Sequence, residues 1–114
     1  DAERSSAVGQ ASRLSSGDEF NIAEKLYEKN KYAEAEVNYR QASNKYEKNS
    51  VLCAYIQNQI GECLSKQGRY KEAVVEYENL KGKYSNSPFY AEADYKIARC
   101  FYEGKEYEKA GDKF

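Results

Sequence analysis

The sequence predicts an all-α fold, a right-handed solenoid of antiparallel helix hairpins with about two and a half to three repeats. The first sign is self-similarity. Tyr32-x-x-Ala35-x-x-x-Tyr39 recurs as Tyr70-x-x-Ala73-x-x-x-Tyr77 and as Tyr107-x-x-Ala110-x-x-x-Phe114, at offsets of 38 and 37 residues. The second is an upstream echo. Ile22-Ala23-x-x-Leu26, Ile60-Gly61-x-x-Leu64 and Ile97-Ala98-x-x-Phe101 each begin ten residues before the tyrosine. The third is composition: 40% hydrophobic and 32% charged residues with a single proline suit amphipathic helices and argue against disorder. No unit of this size buries its apolar face alone, so the copies must stack.

Taken in order, residues 1–16 are rich in serine, alanine and glycine and read as a flexible or partly helical leader. The repeat domain spans residues 17–114. Its first helix is expected to start near Ser16, with Glu19 completing a capping box, and to run to about Lys29. Phe20, Ile22, Ala23, Leu26 and Tyr27 are its packing residues. The second helix carries Tyr32, Ala35, Tyr39, Ala42 and Tyr46 at alternating steps of three and four, which makes one face apolar.

The third helix runs from about Ser50 to Gln67, and Gly68 supplies a left-handed C-terminal cap. The fourth repeats the stripe as Tyr70, Ala73, Tyr77, Leu80 and Tyr84, with Gly82 weakening its last turn. Ala35, Ala73 and Ala110 mark close approach between paired helices, whereas Glu76 is expected to face water. Ser87-Pro88 reads as cap plus first helical position of the fifth helix. Gly104 is expected to mark the next turn, leaving the third hairpin truncated. The chain reads as a processed or trimmed fragment.

These motifs resemble the tetratricopeptide repeat: a small residue within the first helix (Ala23, Gly61, Ala98), a turn, a tyrosine, then alanine and an aromatic. The resemblance covers residues 17–114 and departs in period, 37–38 residues against the usual 34 or so, which suggests second helices about a turn longer. The segment Tyr84-Ser85-Asn86-Ser87-Pro88 ahead of Ala91, Tyr95, Ile97, Ala98, Cys100, Phe101 and Tyr102 is similar to bacterial outer-membrane-assembly lipoproteins and to Tol-Pal-associated periplasmic repeat proteins. That likeness implies a periplasmic or outer-membrane-associated setting in preference to the cytoplasm.

Composition narrows function. Net charge is −1 with lysines and glutamates intermixed, so the basic stripe that displaces counterions from nucleic acid is missing. No apolar run approaches the ~20 residues of a membrane span. There is no histidine, so zinc sites and the commonest catalytic base lack support, and none of the acidic residues stands out as a catalytic pair. The reading is non-enzymatic, with no cofactor and no metal. Cys53, Cys63 and Cys100 lack metal-ligand spacing and read as small buried packing residues. Cys53 and Cys63 lie about 15 Å apart on one helix, and Cys63 and Cys100 about a helix-packing distance of 8–10 Å apart. Both exceed the ~7 Å a disulfide allows. The tyrosine stripes are core, not a platform for stacking bases or sugars.

The resemblance also implies a concave groove lined by residues twelve, eight and five before each hairpin tyrosine: Phe20, Glu24 and Tyr27, then Asn58, Glu62 and Ser65, then Tyr95, Arg99 and Tyr102, with Tyr55 a turn away. Glu24 and Glu62 stand where a chaperone-tail ligand would need donors, which argues against that class of partner. Glu24, Glu28, Glu62, Glu92 and Glu103 outnumber Lys66 and Arg99, so the groove is expected to prefer peptides with aromatic anchors and lysine or arginine. The function read from the sequence is a scaffold that binds a protein or peptide and assembles a bacterial envelope complex. The alternatives are a purely structural spacer or dimerisation segment and a carbohydrate- or peptidoglycan-binding module.

Overall fold

A computed structural model describes residues 18–109, all in helices or the short connections between them. The helices are α1 (Glu19–Glu28), α2 (Tyr32–Lys45), α3 (Ser50–Lys66), α4 (Tyr70–Lys83) and α5 (Pro88–Lys109). Each packs against the next in the chain, and α3 also touches α5, the pattern of stacked hairpins. The leader expected over residues 1–16 and the motif residues Ala110 and Phe114 lie outside the described residues.

The first helix starts later than the serine suggested. Asp18, not Ser16, is the cap: its carboxylate accepts from Phe20 N–H at 2.9 Å. The other Asp18 oxygen accepts from the Tyr46 hydroxyl at 2.7 Å, tying the end of α2 to the start of α1. Ser16 itself lies outside the described residues. Further along, Asn49 caps α3 and Ser87 caps α5 through its hydroxyl, 3.1 Å from Phe89 N–H.

Two hairpin turns share one geometry. Asn30 (φ 65°) and Gly68 (φ 78°) take the left-handed conformation, each two residues before the hairpin tyrosine. The next residues, Lys31 and Arg69, donate back to Leu26 and Leu64 carbonyls at 2.9 Å, closing the helix end. At Gly104 this turn does not form, and α5 runs straight through to Lys109. The third copy places Lys105 at the left-handed position and its glycine one residue too early. A side chain other than glycine or asparagine costs about 1–2 kcal/mol there.

The core is the pair of stripes the repeat describes. Ala23, Ala35, Tyr39, Ala42, Ala73, Tyr77 and Leu80 are fully buried, and Gly61 abuts Tyr77. A Cβ built on Gly61 would lie 2.7 Å from the Tyr77 ring, which is why the smallest residue stands there. Ile22, by contrast, is 39% exposed while its equivalents Ile60 and Ile97 are buried, because each of those two packs on a preceding hairpin. Both α2 and α4 are 14 residues long and α3 is 17, so the long period is not confined to the second helix of each pair.

Glu76 does not face water. It accepts from Gln57 at 2.5 Å and pairs with Arg40 at 3.2 Å, while Glu36 takes Arg40 and Arg69 at 3.1 and 2.9 Å. This network joins the first two hairpins across their second helices, a contact invisible to a helix-face count within α4 alone.

Cys53, Cys63 and Cys100 are all free and buried. Burial first, then the nearby Glu36 and Glu62 carboxylates, push the Cys63 thiol up to about 12. Thiol reagents at pH 8 are therefore expected to label the native protein negligibly and all three sites after denaturation. Rapid native labelling at Cys63 would show that α2, α3 and α4 do not enclose it.

Candidate functional site

The expected groove residues fall into two clusters joined across α3. The first gathers around Glu24 on α1. The Tyr39 hydroxyl donates to its carboxylate, and the Tyr55 hydroxyl bridges both its oxygens at 3.0 and 2.9 Å. Gln59 donates to the Tyr39 oxygen at 3.3 Å. Phe20 lies edge-on to Tyr39 and Tyr55, and Tyr55 meets Phe89 at 5.8 Å between ring centres. Tyr27 is half-buried against Tyr32 at 5.3 Å.

The second cluster centres on Glu62, 38 residues on. It accepts from the Tyr77 hydroxyl at 2.7 Å, as Glu24 accepts from Tyr39. Lys96 approaches Glu62 at 3.2 Å, also reaching Asn58 at 2.7 Å and Glu92 at 3.2 Å, and Arg99 stands 3.6 Å from Glu62. Asn58 and Ser65 are buried beneath this cluster and present little surface. Tyr95 and Tyr102 are the opposite, 67% and 65% exposed, with the Arg99 guanidinium 5.8 Å over the Tyr95 ring. An open cleft of about 300 Å³ lies alongside, bounded by Glu62, Ser65, Lys66, Tyr70, Arg99 and Glu103.

A hydroxyl from the second helix bound by a glutamate of the first is thus repeated twice, at the same places in the motif. The third copy changes both members, to Arg99 and Phe114. A family model described as tetratricopeptide repeat matches residues 59–87 and 92–114. Those stretches are tetratricopeptide repeats. The hairpin of α1 and α2 shares their register at the 38-residue offset. Tetratricopeptide repeats generally mediate protein–protein interaction. No curated protein and no solved structure matches the chain. No helix among the described residues is long and apolar enough to cross a membrane.

Sequence reasoning missed Lys96, Gln59 and Phe89. Lys96 matters most, because it neutralises Glu62 and Glu92 and so weakens the acidic field expected of the groove. A signal was present: Lys96 aligns with uncharged Gln59 and Asn21 in the other copies.

Titration follows from these contacts. Burial and the hydrogen bond to Glu24 raise Tyr39 and Tyr55, and burial and the Glu62 carboxylate raise Tyr77, all above the ordinary phenol range. Burial pushes Tyr27 up to about 12, and the Asp18 bond pushes Tyr46 up to about 12. These hydroxyls keep their protons in the fold at pH values where the unfolded chain, with tyrosine near ~10, loses them. Their contribution is complete below about pH 10 and is lost as pH rises further. Ultraviolet titration is expected to show an early exposed fraction and a late fraction that ionises only with loss of helical signal. A single transition near pH 10 with helicity intact would contradict this.

Proposed function

We propose that the concave face formed by the first helix of each hairpin binds an extended or helical peptide segment of a protein partner, without catalysis. The observation that carries this reading is the exposed pair Tyr95 and Tyr102 flanking Arg99 on α5, in a fold whose other tyrosines are largely packed or hydrogen-bonded. Aromatic and arginine side chains give large, pre-ordered contact area, and such residues dominate binding energy at interfaces. Phe20, Tyr27 and Tyr55 extend the surface toward α1, where Glu24 accepts from the Tyr55 hydroxyl and has no salt bridge among the described residues.

The partner that fits has aromatic or apolar anchors and some lysine or arginine. The electrostatic part is modest, because Lys96 and Arg99 already answer Glu62 and Glu92. The setting proposed is assembly of a bacterial envelope complex in the periplasm or at the outer membrane. It is supported by the long period and by the Tyr84-Ser85-Asn86-Ser87-Pro88 segment that opens α5.

Peptide-array selection followed by titration at two ionic strengths tests the reading. Tyr95→Ala is expected to weaken binding about tenfold or more, equivalent to ~1.4 kcal/mol. Glu28→Gln, at an exposed rim position, should change affinity little and act mainly on the association rate. Predominantly acidic ligands, or affinity indifferent to Tyr95→Ala and Tyr102→Ala, would refute it.

A further inference from the structure

The Lys96 side chain is only 14% exposed, and its ammonium is held by oxygens on two helices. It lies 3.2 Å from Glu62, 2.7 Å from the Asn58 side-chain oxygen and 3.2 Å from Glu92. It also stands 5.9 Å from the centre of the Tyr77 ring, whose hydroxyl donates to the same Glu62. The glutamate and tyrosine of the second hairpin thus accommodate one ammonium, delivered by the next helix of the chain.

The first hairpin repeats the pair without the ammonium. Glu24 and Tyr39 precede Glu62 and Tyr77 by 38 residues, while the place of Lys96 falls to Gln59, 37 residues before it. The Gln59 amide donates to the Tyr39 oxygen at 3.3 Å and brings no charge. The other two holders of the lysine change as well: Asn58 corresponds to Phe20, and Glu92 to Tyr55. Two oxygens are replaced by two rings, which meet edge-on at 5.9 Å.

Glu24 is left with no salt bridge among the described residues. The phenol protons of Tyr39 and Tyr55 use two of the roughly four acceptor sites of a carboxylate, so a further donor has room. Glu24, Phe20 and Tyr55 are each partly exposed, which leaves an approach from outside the fold. A half-buried carboxylate attracts a cation more strongly than one in open water, and neighbouring ring faces add to the attraction.

We propose that Glu24, walled by Phe20 and Tyr55, receives a lysine side chain of the partner, whose ammonium plays the part that Lys96 plays inside the second hairpin. This rests on the reading of the concave face as a peptide-binding surface and narrows it. Glu62 is answered from within, so the selectivity for a basic residue belongs to the first hairpin, and Tyr95 and Tyr102 contact the aromatic or apolar anchors. A compact ammonium is what the second hairpin seats, which favours lysine over the broader arginine head.

A randomised peptide array probed with the 114-residue chain and two variants tests this. The unaltered chain is expected to select peptides with one fixed lysine beside aromatic anchors. Gln59→Lys supplies the ammonium from within and is expected to abolish the lysine preference while aromatic selection and helical signal persist. Glu24→Gln keeps an acceptor for Tyr39 and Tyr55 but removes the charge. It is expected to weaken the selected peptides about tenfold, a deficit that shrinks as salt rises. A lysine preference that survives either variant, or aromatic selection with no basic position by the unaltered chain, overturns the subsite and leaves the groove reading standing. Loss of aromatic selection in both variants would mean that Glu24 holds the face together instead of reading a lysine, and overturns the subsite as well. An unaltered chain that selects no peptide overturns the groove reading and the subsite together.

Discussion

Truncating Tyr77 to alanine is expected to destabilise the protein by about 3–5 kcal/mol, the range for removing a buried aromatic ring. The ring is fully buried, lies against Gly61, and has the Lys96 ammonium 5.9 Å from its centre. Domains of this size have only about 5–15 kcal/mol to lose. Tyr77→Phe keeps the ring and removes the hydroxyl bonded to Glu62, so its cost is smaller, about 1–3 kcal/mol for a bond to a charged group. Glu62 then retains Lys96 and Arg99, which limits the penalty. Urea denaturation of the two variants ranks them. Equal losses would mean that the hydroxyl, not the ring, anchors α4 to α3.

Ala73→Leu is expected to cost about 1–3 kcal/mol, because a fully buried alanine on α4 is replaced by a side chain for which there is no room. The matching control is Glu78→Leu, at an exposed position on the same helix, expected to stay within about 0.5 kcal/mol. Glu76 is unsuitable as a control, since Gln57 and Arg40 hold it between hairpins. Thermal melts should separate the two by several degrees, at roughly 4 °C per kcal/mol. Identical melts would place Ala73 away from the helix–helix contact.

Much of this fold was legible because its signals are local. Gly68 and the Ser87-Pro88 pair mark their helix ends by backbone preference alone, and both function as expected. The alternating tyrosine and alanine stripes identify the buried faces, and Tyr39, Ala42, Tyr77 and Leu80 occupy them. Gly104 misled because a turn depends on which residue takes the left-handed position, and the glycine stands one place from it. The site was less legible. How far a helix residue is exposed depends on how α5 lies on α3, so the burial of Asn58 and Ser65 was not readable from their places on α3. Lys96 was less legible because only Glu92 lies on its own helix, while Asn58 and Glu62 reach it from α3.

The paired glutamate and tyrosine have a consequence for alignment. Apolar stripes spaced by three and four residues look nearly the same after a helix slides by one turn, so hydrophobic burial alone leaves several near-degenerate arrangements of α4 along α3. A slide of one turn moves every group by about 5.4 Å, enough to part the Tyr77 hydroxyl from Glu62 and leave that hydroxyl without its acceptor. The same holds for Tyr39 and Glu24. Each of the first two hairpins thus carries one polar latch that only the native offset closes, in the way a single buried polar residue fixes the stagger of a coiled coil. Slippage is penalised in two consecutive hairpins independently, so errors of offset cannot accumulate along the stack.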